Sequence, residues 1–369
     1  MRRSFIREIL EHTNSDTISF AGGLPDVSLF PHKELQTATH NALENAESLQ
    51  YGTSTGYTSL KEQIAEHYCQ RGFPTAPENI LITSGSQQGL DIICRYHYGT
   101  SVTIEKPSYL GALNVFKLNS METTTVPLTE NGIELESFKK SIAKSKLAYL
   151  IPDFQNPSGR CYTNKMRENI AKILELSQTL LIEDAPYSEL YFNASHKSIS
   201  QMLPKQSYHL GSFSKVLSPA LRVGWIRADV KLIKPLIAYK EAMDLHTSGI
   251  TQRIVSEYLK DGESFEKHLQ TLRVAYKEKM LYFCKHLELH LPNFEYTQPK
   301  GGMFIYGKFN GVDSRALVKE CLKNGVVFVP GIEFGGENDE IRFNFTHSSF
   351  EEITEGLKRI KSVMDLTNL

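Results

Sequence analysis

The sequence predicts an α/β protein in which a mostly parallel sheet lies between layers of helices, with a smaller α+β domain after it. Three observations support this fold class. Short apolar runs rich in β-branched residues recur through the middle of the chain, and helical patterns lie between several of them. After about residue 231 the pattern changes to long helices and then short strand-like segments. Strand–helix alternation is typical of parallel sheets covered on both faces, and 369 residues exceed one ordinary core.

Six apolar runs are predicted to be strands of the large sheet. They are ILIT (80–83), SVTIE (101–105), LAYLIP (147–152), TLLIED (179–184), YHLGSFS (208–214) and VGWIRA (223–228). The last two runs are too close in sequence for a full helix between them. We therefore expect them to be neighbouring strands joined by a loop.

Helices are predicted where apolar residues recur at helical spacing. In the large domain these segments are 59–72, 86–99 and 163–178. A mostly helical stretch extends from about 231 to 290, strand-like segments follow at 301–309, 326–331 and 340–346, and a last helix covers 349–366. We expect an N-terminal arm with part of the small domain at 1–40, a large domain at 41–245 and a small C-terminal domain at 246–369.

The composition argues against several classes of protein. Lys plus Arg number 41 and Asp plus Glu 42, so the overall charge favours neither a nucleic-acid nor an anionic-membrane partner. No run approaches the roughly 20 apolar residues of a membrane span, and the N-terminus lacks the apolar stretch of a signal peptide. The five cysteines are widely spread without C-x-x-C spacing, which argues against a disulfide framework or a structural zinc site. We expect a cytoplasmic protein with reduced thiols and no metal.

Polar residues directly follow five of the predicted strands. Ligands of open α/β sheets bind beyond the carboxyl ends of the strands, so these residues are candidates for one shared site. The segments are Ser84–Gln88, Lys106–Tyr109, Asp153–Pro157, Asp184–Tyr187 and Ser212–Lys215. Each has an ordinary explanation when taken alone, such as a helix cap, a turn or a surface lysine. Their convergence on one edge is the observation that indicates a site.

The residue types in these segments suit one kind of cofactor. The amine of Lys215 can form a Schiff base with a carbonyl group, and the carboxylate of Asp184 can pair with a protonated ring nitrogen. Arg222 offers a permanent, fork-shaped set of donors to a phosphate, and a helix start favours an anion. The hydroxyls of this anion cradle belong to Ser86, Ser212 and Ser214. Pyridoxal 5′-phosphate needs all three elements: an imine-forming lysine, an acidic partner for its pyridinium and a phosphate site.

Ten motifs in chain order resemble the fold-type I, pyridoxal-phosphate-dependent aminotransferases of class I/II. The similarity is greatest to the subgroup of 2-aminoadipate and kynurenine aminotransferases, and it extends from Ile6 to about Met364. The motifs occupy 18–31, 49–65, 82–91, 105–113, 152–160, 183–192, 211–225, 299–306, 328–334 and 341–347. The resemblance implies a mostly parallel mixed sheet sandwiched by helices in the large domain, plus a smaller α+β domain.

The resemblance also implies roles for residues around the cofactor ring. Lys215 would form the Schiff base and later act as general base, and Asp184 would hold the pyridine nitrogen protonated. Asn156 and Tyr187 would bind the phenolate oxygen of the ring, and Tyr109 would stack on the ring. Lys215, Asp184 and Tyr187 are therefore the expected catalytic residues.

The resemblance also implies which residues bind the phosphate and the substrate. The expected phosphate ligands within one chain are Ser86, Gln87, Ser212, Ser214 and Arg222. Tyr51 would reach the phosphate from the partner subunit, which implies a homodimer with shared active sites. Arg342 would bind the α-carboxylate of the substrate together with Asn156, and Gly23 would lie beside the substrate. Arg7 matches a position that meets an acidic side chain in 2-aminoadipate-type relatives, although a solvated helix arginine is an equally good explanation.

The expected reaction is transfer of an amino group from an α-amino acid to a 2-oxo acid, with 2-oxoglutarate as the expected acceptor and ping-pong kinetics. One alternative is a lyase, decarboxylase or specialised biosynthetic enzyme that uses the same cofactor and scaffold. Another is a regulatory domain of the kind fused to winged-helix DNA-binding modules. The chain begins close to the first family motif, which argues against an upstream DNA-binding module. The sequence leaves the amino donor open.

Overall fold

The computed structural model describes residues 16–367, with the side chain of Thr367 left out. The strands of this part are β1 (Ile18–Ser19), β2 (Ile80–Thr83), β3 (Ser101–Lys106), β4 (Glu122–Thr129), β5 (Gly132–Ile133), β6 (Leu147–Leu150), β7 (Leu180–Asp184), β8 (Ser207–Ser212), β9 (Gly224–Ala228), β10 (Glu295–Tyr296), β11 (Phe304–Lys308), β12 (Val326–Val327), β13 (Val329–Pro330) and β14 (Glu340–Asn344). All six strands predicted for the large sheet are present.

The helices lie where apolar residues recur at helical spacing. In chain order they are α1 (His32–Glu44), α2 (Thr58–Gln70), α3 (Ser86–Tyr96), α4 (Leu110–Leu118), α5 (Leu135–Ile142), α6 (Asn164–Glu175), α7 (Ile199–Met202), α8 (Val230–Asp244), α9 (Gly249–Leu259), α10 (Gly262–His290), α11 (Ser314–Lys323) and α12 (Phe350–Thr367). The predicted helical stretch after residue 231 is thus three helices. Within the described residues, no helix is long and apolar enough to span a membrane.

The large sheet has eight strands in the order β2-β9-β8-β7-β6-β3-β4-β5. The pairs from β8 through β7, β6 and β3 to β4 are parallel, whereas β9 is antiparallel to both of its neighbours. Every residue of β6, β8 and β9 is buried, as expected where helices cover both faces of a sheet. The α/β class, the mixed sheet and the predicted loop connection between β8 and β9 are confirmed.

A second sheet of four antiparallel strands, in the order β10-β11-β14-β13, follows α10 in the chain. The N-terminal strand β1 pairs in parallel with β12, so residues near the start of the described chain join this C-terminal part. The division into domains at 40/41 and 245/246 stays a prediction.

The sheet topology brings five strand ends to one edge. Strands β2 and β8 are each antiparallel to β9, so they run in the same direction as β7, β6 and β3. The carboxyl ends of these five strands therefore share an edge with the amino end of β9. The polar segments that the sequence placed after these strands meet there, as predicted.

Candidate active site

Lys215 lies three residues beyond the end of β8. Its Nζ donates a hydrogen bond to the carbonyl oxygen of Gly23 at 2.7 Å. Burial, followed by the positive charges of Arg342 and Arg222, lowers the pKa of Lys215 to about 8. An amine with this pKa has a substantial neutral, nucleophilic fraction near physiological pH, unlike an ordinary lysine.

Asp184 ends β7 and is 4% exposed. Its Oδ2 accepts a hydrogen bond from the hydroxyl of Tyr149 at 2.7 Å, whereas its Oδ1 has no partner among the described residues. Burial raises the pKa of Asp184 to about 6, while the hydrogen bond from Tyr149 acts to lower it. A buried carboxylate oxygen without a donor is costly, so Oδ1 is an acceptor suited to a ligand N–H.

Arg222 is held against the start of α3 by hydrogen bonds to the backbone and to a serine. Its Nη2 donates to the carbonyl oxygen of Ser84 at 3.1 Å, and its Nη1 donates to Ser214 Oγ at 3.3 Å. Gly85 has a φ of +84°, and a Cβ at this position would lie 3.1 Å from Arg222 Cζ and closer still to Nη2. Glycine at residue 85 therefore allows the guanidinium to approach the helix start.

Ser86 is the first residue of α3, and the strand pairing brings it close to the other serines of the predicted phosphate site. Ser212 Oγ accepts a hydrogen bond from the backbone N–H of Ser214 at 3.1 Å. A Cβ on Gly224 would lie 2.5 Å from the backbone nitrogen of Ser86, so the start of β9 packs closely against the helix start. The N–H groups and the positive dipole end of a helix start suit an anion, so the predicted phosphate site has a fitting place here.

The predicted ring-binding residues form two hydrogen-bonded pairs. Asn156 Nδ2 donates to the hydroxyl oxygen of Tyr187 at 3.3 Å, and the Tyr109 hydroxyl donates to Gln87 Oε1 at 3.2 Å. Gln87 Nε2 in turn donates to the carbonyl oxygen of Gly111 at 3.1 Å. Burial raises the pKa of Tyr187 well above its ordinary value, so its hydroxyl stays a hydrogen-bond donor at neutral pH.

Arg342 lies on β14 of the second sheet and is 2% exposed. Its Nη1 donates to Asn156 Oδ1 at 2.7 Å, and its Nη2 donates to the carbonyl oxygen of Ala21. Its guanidinium lies near the rings of Phe304 and Phe334, at 4.3 and 4.8 Å from their centroids. Burial lowers the pKa of Arg342 to about 10, which still leaves it charged at neutral pH.

Gly23 lies beside Lys215 and near Phe304, the ring that packs on Arg342; its predicted place beside the substrate stays a prediction. A Cβ on Gly23 would lie 3.2 Å from Phe304 Cζ and 3.7 Å from Lys215 Nζ. A side chain here would therefore fill the space between the amine and the aromatic ring that packs on Arg342. Glycine keeps that space open.

Two predicted residues are not brought to the site by the described chain. Tyr51 is 79% exposed, and its ring packs edge-on against His246 at 5.9 Å between centroids. Its predicted place is in the active site of a partner subunit, which one chain does not show. Arg7 lies outside the described residues.

Sequence reasoning missed Tyr149 and a polar network behind the helix start. Lys240 is fully buried, and its Nζ donates to Gln88 Oε1 at 2.9 Å and to Asp244 Oδ1 at 2.5 Å. The same Gln88 Oε1 accepts from the backbone N–H of Ser84 at 2.7 Å. Two sequence signals could have revealed them: a tyrosine within an apolar strand and a lysine on an apolar helix face. Buried polar atoms need hydrogen-bond partners, so each predicts a buried polar contact.

The residues present fit pyridoxal phosphate. The unpartnered Oδ1 of Asp184 suits a protonated ring nitrogen, the helix start beside Arg222 suits a phosphate, and Lys215 supplies an amine with a lowered pKa. Together with the mixed sheet, these features define a pyridoxal-phosphate-dependent transferase of fold type I.

Comparison with known proteins identifies the family. The model of the family "Aminotransferase class I and II" matches residues 16–360. The chain is 36% identical over 377 residues to 2-aminoadipate transaminase of Thermus thermophilus, covering 98% of this chain and 93% of the relative. It is 35% identical over 380 residues to aromatic-amino-acid aminotransferase 1 of Thermococcus litoralis, covering 98% and 91%. The chain therefore belongs to the class I and II aminotransferases.

A solved structure supports the same assignment. The α-aminoadipate aminotransferase of Thermus thermophilus, in complex with N-(5′-phosphopyridoxyl)-L-leucine, superposes with a TM-score of 0.92 at 34% identity. The match covers 100% of this chain and 96% of that one. The protein is a pyridoxal-phosphate-dependent aminotransferase that moves an amino group from an α-amino acid to a 2-oxo acid.

Proposed function

We propose that Lys215, Asp184 and Arg342 carry the three essential tasks of this transamination: covalent attachment, ring pairing and substrate binding. One observation supports the assignment most directly. The N-terminal segment Ala21–Gly23 accepts a hydrogen bond from Arg342 at one end and from Lys215 Nζ at the other. The amine and the guanidinium are thus held on one short stretch of backbone, with Gly23 leaving space beside the amine.

When bound, pyridoxal phosphate supplies an aldehyde that condenses with amines and an electron-poor ring that takes up the electron pair left at the substrate Cα. In the proposed mechanism, Lys215 Nζ is the base that removes the proton from the substrate Cα. Its lowered pKa suits this role, because a general base works best when its pKa lies near the operating pH.

The other predicted residues orient the cofactor and the substrate. Oδ1 of Asp184 would accept the ring N–H, and the hydroxyl of Tyr187 with the amide of Asn156 would bind the ring oxygen. Arg342 would bind the substrate α-carboxylate with its paired donors, while Asn156 holds one of those nitrogens in place. Such positioning lowers the entropic part of the barrier.

The phosphate would lie in the cradle of the helix start. Its proposed ligands within one chain are Ser86, Gln87, Ser212, Ser214 and Arg222, with Tyr109 on the ring. Charge-assisted hydrogen bonds from Arg222 would contribute most of the phosphate affinity. The network around Lys240 and Gln88 supports this cradle, because Gln88 Oε1 fixes the N–H of Ser84.

We further propose a homodimer in which Tyr51 of one subunit completes the phosphate site of the other. The turn that carries Tyr51 is fixed, since the backbone N–H of Gly52 donates to His246 Nε2 at 3.2 Å. A large aromatic residue presented rigidly and 79% exposed is typical of an interface anchor.

Subunit mixing tests the shared site. Lys215→Ala and Tyr51→Phe variants are each expected to have low activity alone. A heterodimer of the two has one site with both Lys215 and Tyr51 intact, so random mixing should recover about a quarter of wild-type activity. No recovery in demonstrated heterodimers would contradict a shared site.

The proposed acceptor is 2-oxoglutarate, and the proposed donors are 2-aminoadipate and aromatic amino acids, by similarity to the two relatives. We also propose the cytoplasm as the compartment, because the widely spaced cysteines indicate no disulfide framework. A panel of amino donors with 2-oxoglutarate, assayed for glutamate, tests the acceptor and ranks the donors. Borohydride reduction followed by peptide mapping should place the cofactor on Lys215, and a label on another lysine would overturn that assignment.

A further inference from the structure

A cavity of about 1080 Å³ lies beside the large sheet, between α2, the loop after β7 and the start of α10. Lys215, Asp184 and Arg342 are not among its lining residues. Ala185 and Ser212, which follow or end strands of the large sheet, line it on the side of the active site. Its volume is close to that of a small-molecule site, and Ser212 is the one lining residue that is also a proposed ligand of the cofactor.

The hydrogen-bond chain from Trp225 to His209 places a hydrogen-bond donor on the cavity wall. Trp225 Nε1, which can only donate, binds the hydroxyl oxygen of Tyr68 at 2.8 Å. The Tyr68 hydroxyl proton is then directed to His209 Nδ1, 2.8 Å away. Because Nδ1 accepts, the proton of the neutral imidazole is on Nε2.

That Nε2–H has no partner among the described residues, although His209 is 6% exposed and lines the cavity. Burial lowers the pKa of His209, which favours the neutral ring with this arrangement. His209 Nε2 is not among the fully buried polar atoms that lack a partner, so it faces the cavity, and an occupant would replace water as its acceptor. The structure therefore presents a donor to whatever enters the cavity.

The walls around this donor are aromatic. Phe213 packs against Trp225 at 4.9 Å and against Phe265 at 6.1 Å between ring centroids. Trp225 and Phe265 are each 8% exposed, and both line the cavity. Aromatic faces and edges bind another ring with defined geometry, so a planar occupant suits this wall better than a flexible aliphatic one.

The charged side chains around the cavity give an anion little attraction. Among the lining residues, the carboxylates are Glu62, Glu66, Asp153, Glu189 and Glu266, against the permanent cations Arg71 and Lys197. Arg71 is already paired with Glu189 at 2.6 Å. Arg273 pairs with Glu189 and Glu266, and Arg167 pairs with Asp153, from outside the lining. The lining therefore offers an anion no unpaired arginine among the described residues, whereas a neutral acceptor needs no cation.

We propose that this cavity is a binding site for a small, neutral aromatic molecule that bears one hydrogen-bond acceptor. Its ring packs against Trp225 and Phe213, and its acceptor receives the hydrogen bond from His209 Nε2. The cavity adjoins the transamination site at Ser212, but the residues proposed to bind the occupant have no assigned role in that reaction.

Trp225 is the single tryptophan of the chain, so its emission reports on the cavity. Benzamide is a suitable probe, because it is neutral and aromatic and lacks the carboxylate that Arg342 would bind. Titration of the holoenzyme should give a saturable change in Trp225 emission, with half-saturation on the order of 1 mM for so small a ligand. Cyclohexanecarboxamide, which lacks the aromatic ring, should bind at least about fivefold more weakly.

A matched pair of variants locates the binding. Gly262 lines the cavity, and a Cβ there would meet no atom within 4 Å, so Gly262→Phe fills the mouth without a clash. Glu263 is the next residue of the same helix and does not line the cavity. Gly262→Phe should weaken benzamide binding at least about tenfold, and Glu263→Phe should leave it within about twofold.

The donor is tested by His209→Leu and His209→Gln. The leucine variant should bind benzamide about tenfold more weakly through loss of one hydrogen bond, and the glutamine variant, which retains an N–H, should recover most of that loss. Saturation-transfer NMR measures the same binding independently of emission. The proposal is overturned if neither method detects saturable binding, if the two carboxamides bind equally, or if Gly262→Phe binds like wild type.

Discussion

Gly85 is the position where one added methyl group tests the phosphate site. With a φ of +84° it stands directly before α3, and a Cβ there would overlap the guanidinium of Arg222. Gly85→Ala should therefore displace Arg222 and break its hydrogen bonds to the Ser84 carbonyl at 3.1 Å and to Ser214 Oγ at 3.3 Å. The predicted consequence is weaker binding of pyridoxal phosphate.

The expected loss of cofactor affinity follows from the charge on the contact between Arg222 and the phosphate. A hydrogen bond that involves a charged group contributes about 1.5–3 kcal/mol, and each 1.4 kcal/mol is about a factor of ten in affinity. Loss of one arginine–phosphate contact should thus raise the dissociation constant of pyridoxal phosphate by about 10- to 150-fold. Titration of the apoenzyme, followed by the visible absorbance of the bound cofactor, measures this change.

Gly99→Ala is the matched control. Gly99 has a φ of +70°, but a Cβ there would meet no atom within 4 Å. Both substitutions therefore place alanine at a positive φ, which strains a residue with a Cβ, and only Gly85→Ala also collides with a proposed ligand. Thermal unfolding of both apoenzymes separates lost stability from lost affinity. Folded Gly85→Ala enzyme that binds the cofactor within about threefold of wild type would refute the role given to Arg222.

Three further predictions concern proton positions and the substrate clamp. Because burial and nearby positive charges lower the pKa of Lys215 to about 8, the rate at which apoenzyme condenses with pyridoxal phosphate should rise about tenfold per pH unit below 8 and level off above it, measured by stopped-flow absorbance. Tyr149→Phe removes the donor to Asp184, whose pKa in the apoenzyme should rise from about 6. The carboxyl then stays protonated to higher pH, so the acid limb of the pH profile of pyridoxal phosphate affinity, titrated on the apoenzyme, should move up by about one unit. Arg342→Lys loses the paired donors, so steady-state kinetics should show KM for the amino donor raised about 100-fold.

Controls for these predictions are available in the same chain. Tyr208→Phe removes a tyrosine hydroxyl that bonds to His97 rather than to Asp184, and it should leave the acid limb in place. Arg359→Lys alters an arginine paired with Glu355 and should leave KM unchanged. A condensation rate that is flat between about pH 6 and 8 would contradict the amine pKa, and an equal shift in both tyrosine variants would contradict the role of Tyr149.

The central strands were predictable because burial on both faces makes each of them a continuous apolar run. Strand β4 was not predicted, since its residues are mostly partly or fully exposed and Val126 is the fully buried one. Its polar threonines carry no periodic signal. Strand order is likewise a property of pairing between distant segments, which local patterns do not encode.

The residues of the candidate site also differ in how far the sequence alone predicts them. Lys215 and Asp184 were found because strand ends converge at one edge of the sheet, a rule that needs only the strand positions. Arg342 lies on a different sheet, and its three-dimensional contacts with Asn156 and Ala21 join it to the rest. Its role came from the family resemblance. Tyr149 was missed because its partner depends on register: it pairs with Ile182 across β6 and β7, two residues before Asp184.

Burial acts on the three charged groups of the site in a consistent way. It lowers the pKa of Lys215 to about 8 and that of Arg342 to about 10, and it raises that of Asp184 to about 6. Each shift disfavours the charged form, so each group gains from a ligand that supplies an opposite charge or removes the charge altogether. A pyridinium would pair with Asp184, and a substrate carboxylate would pair with Arg342. Condensation with the cofactor aldehyde would use the neutral amine of Lys215. The same desolvation that disfavours these charges in isolation therefore favours the cofactor, the substrate and the covalent step.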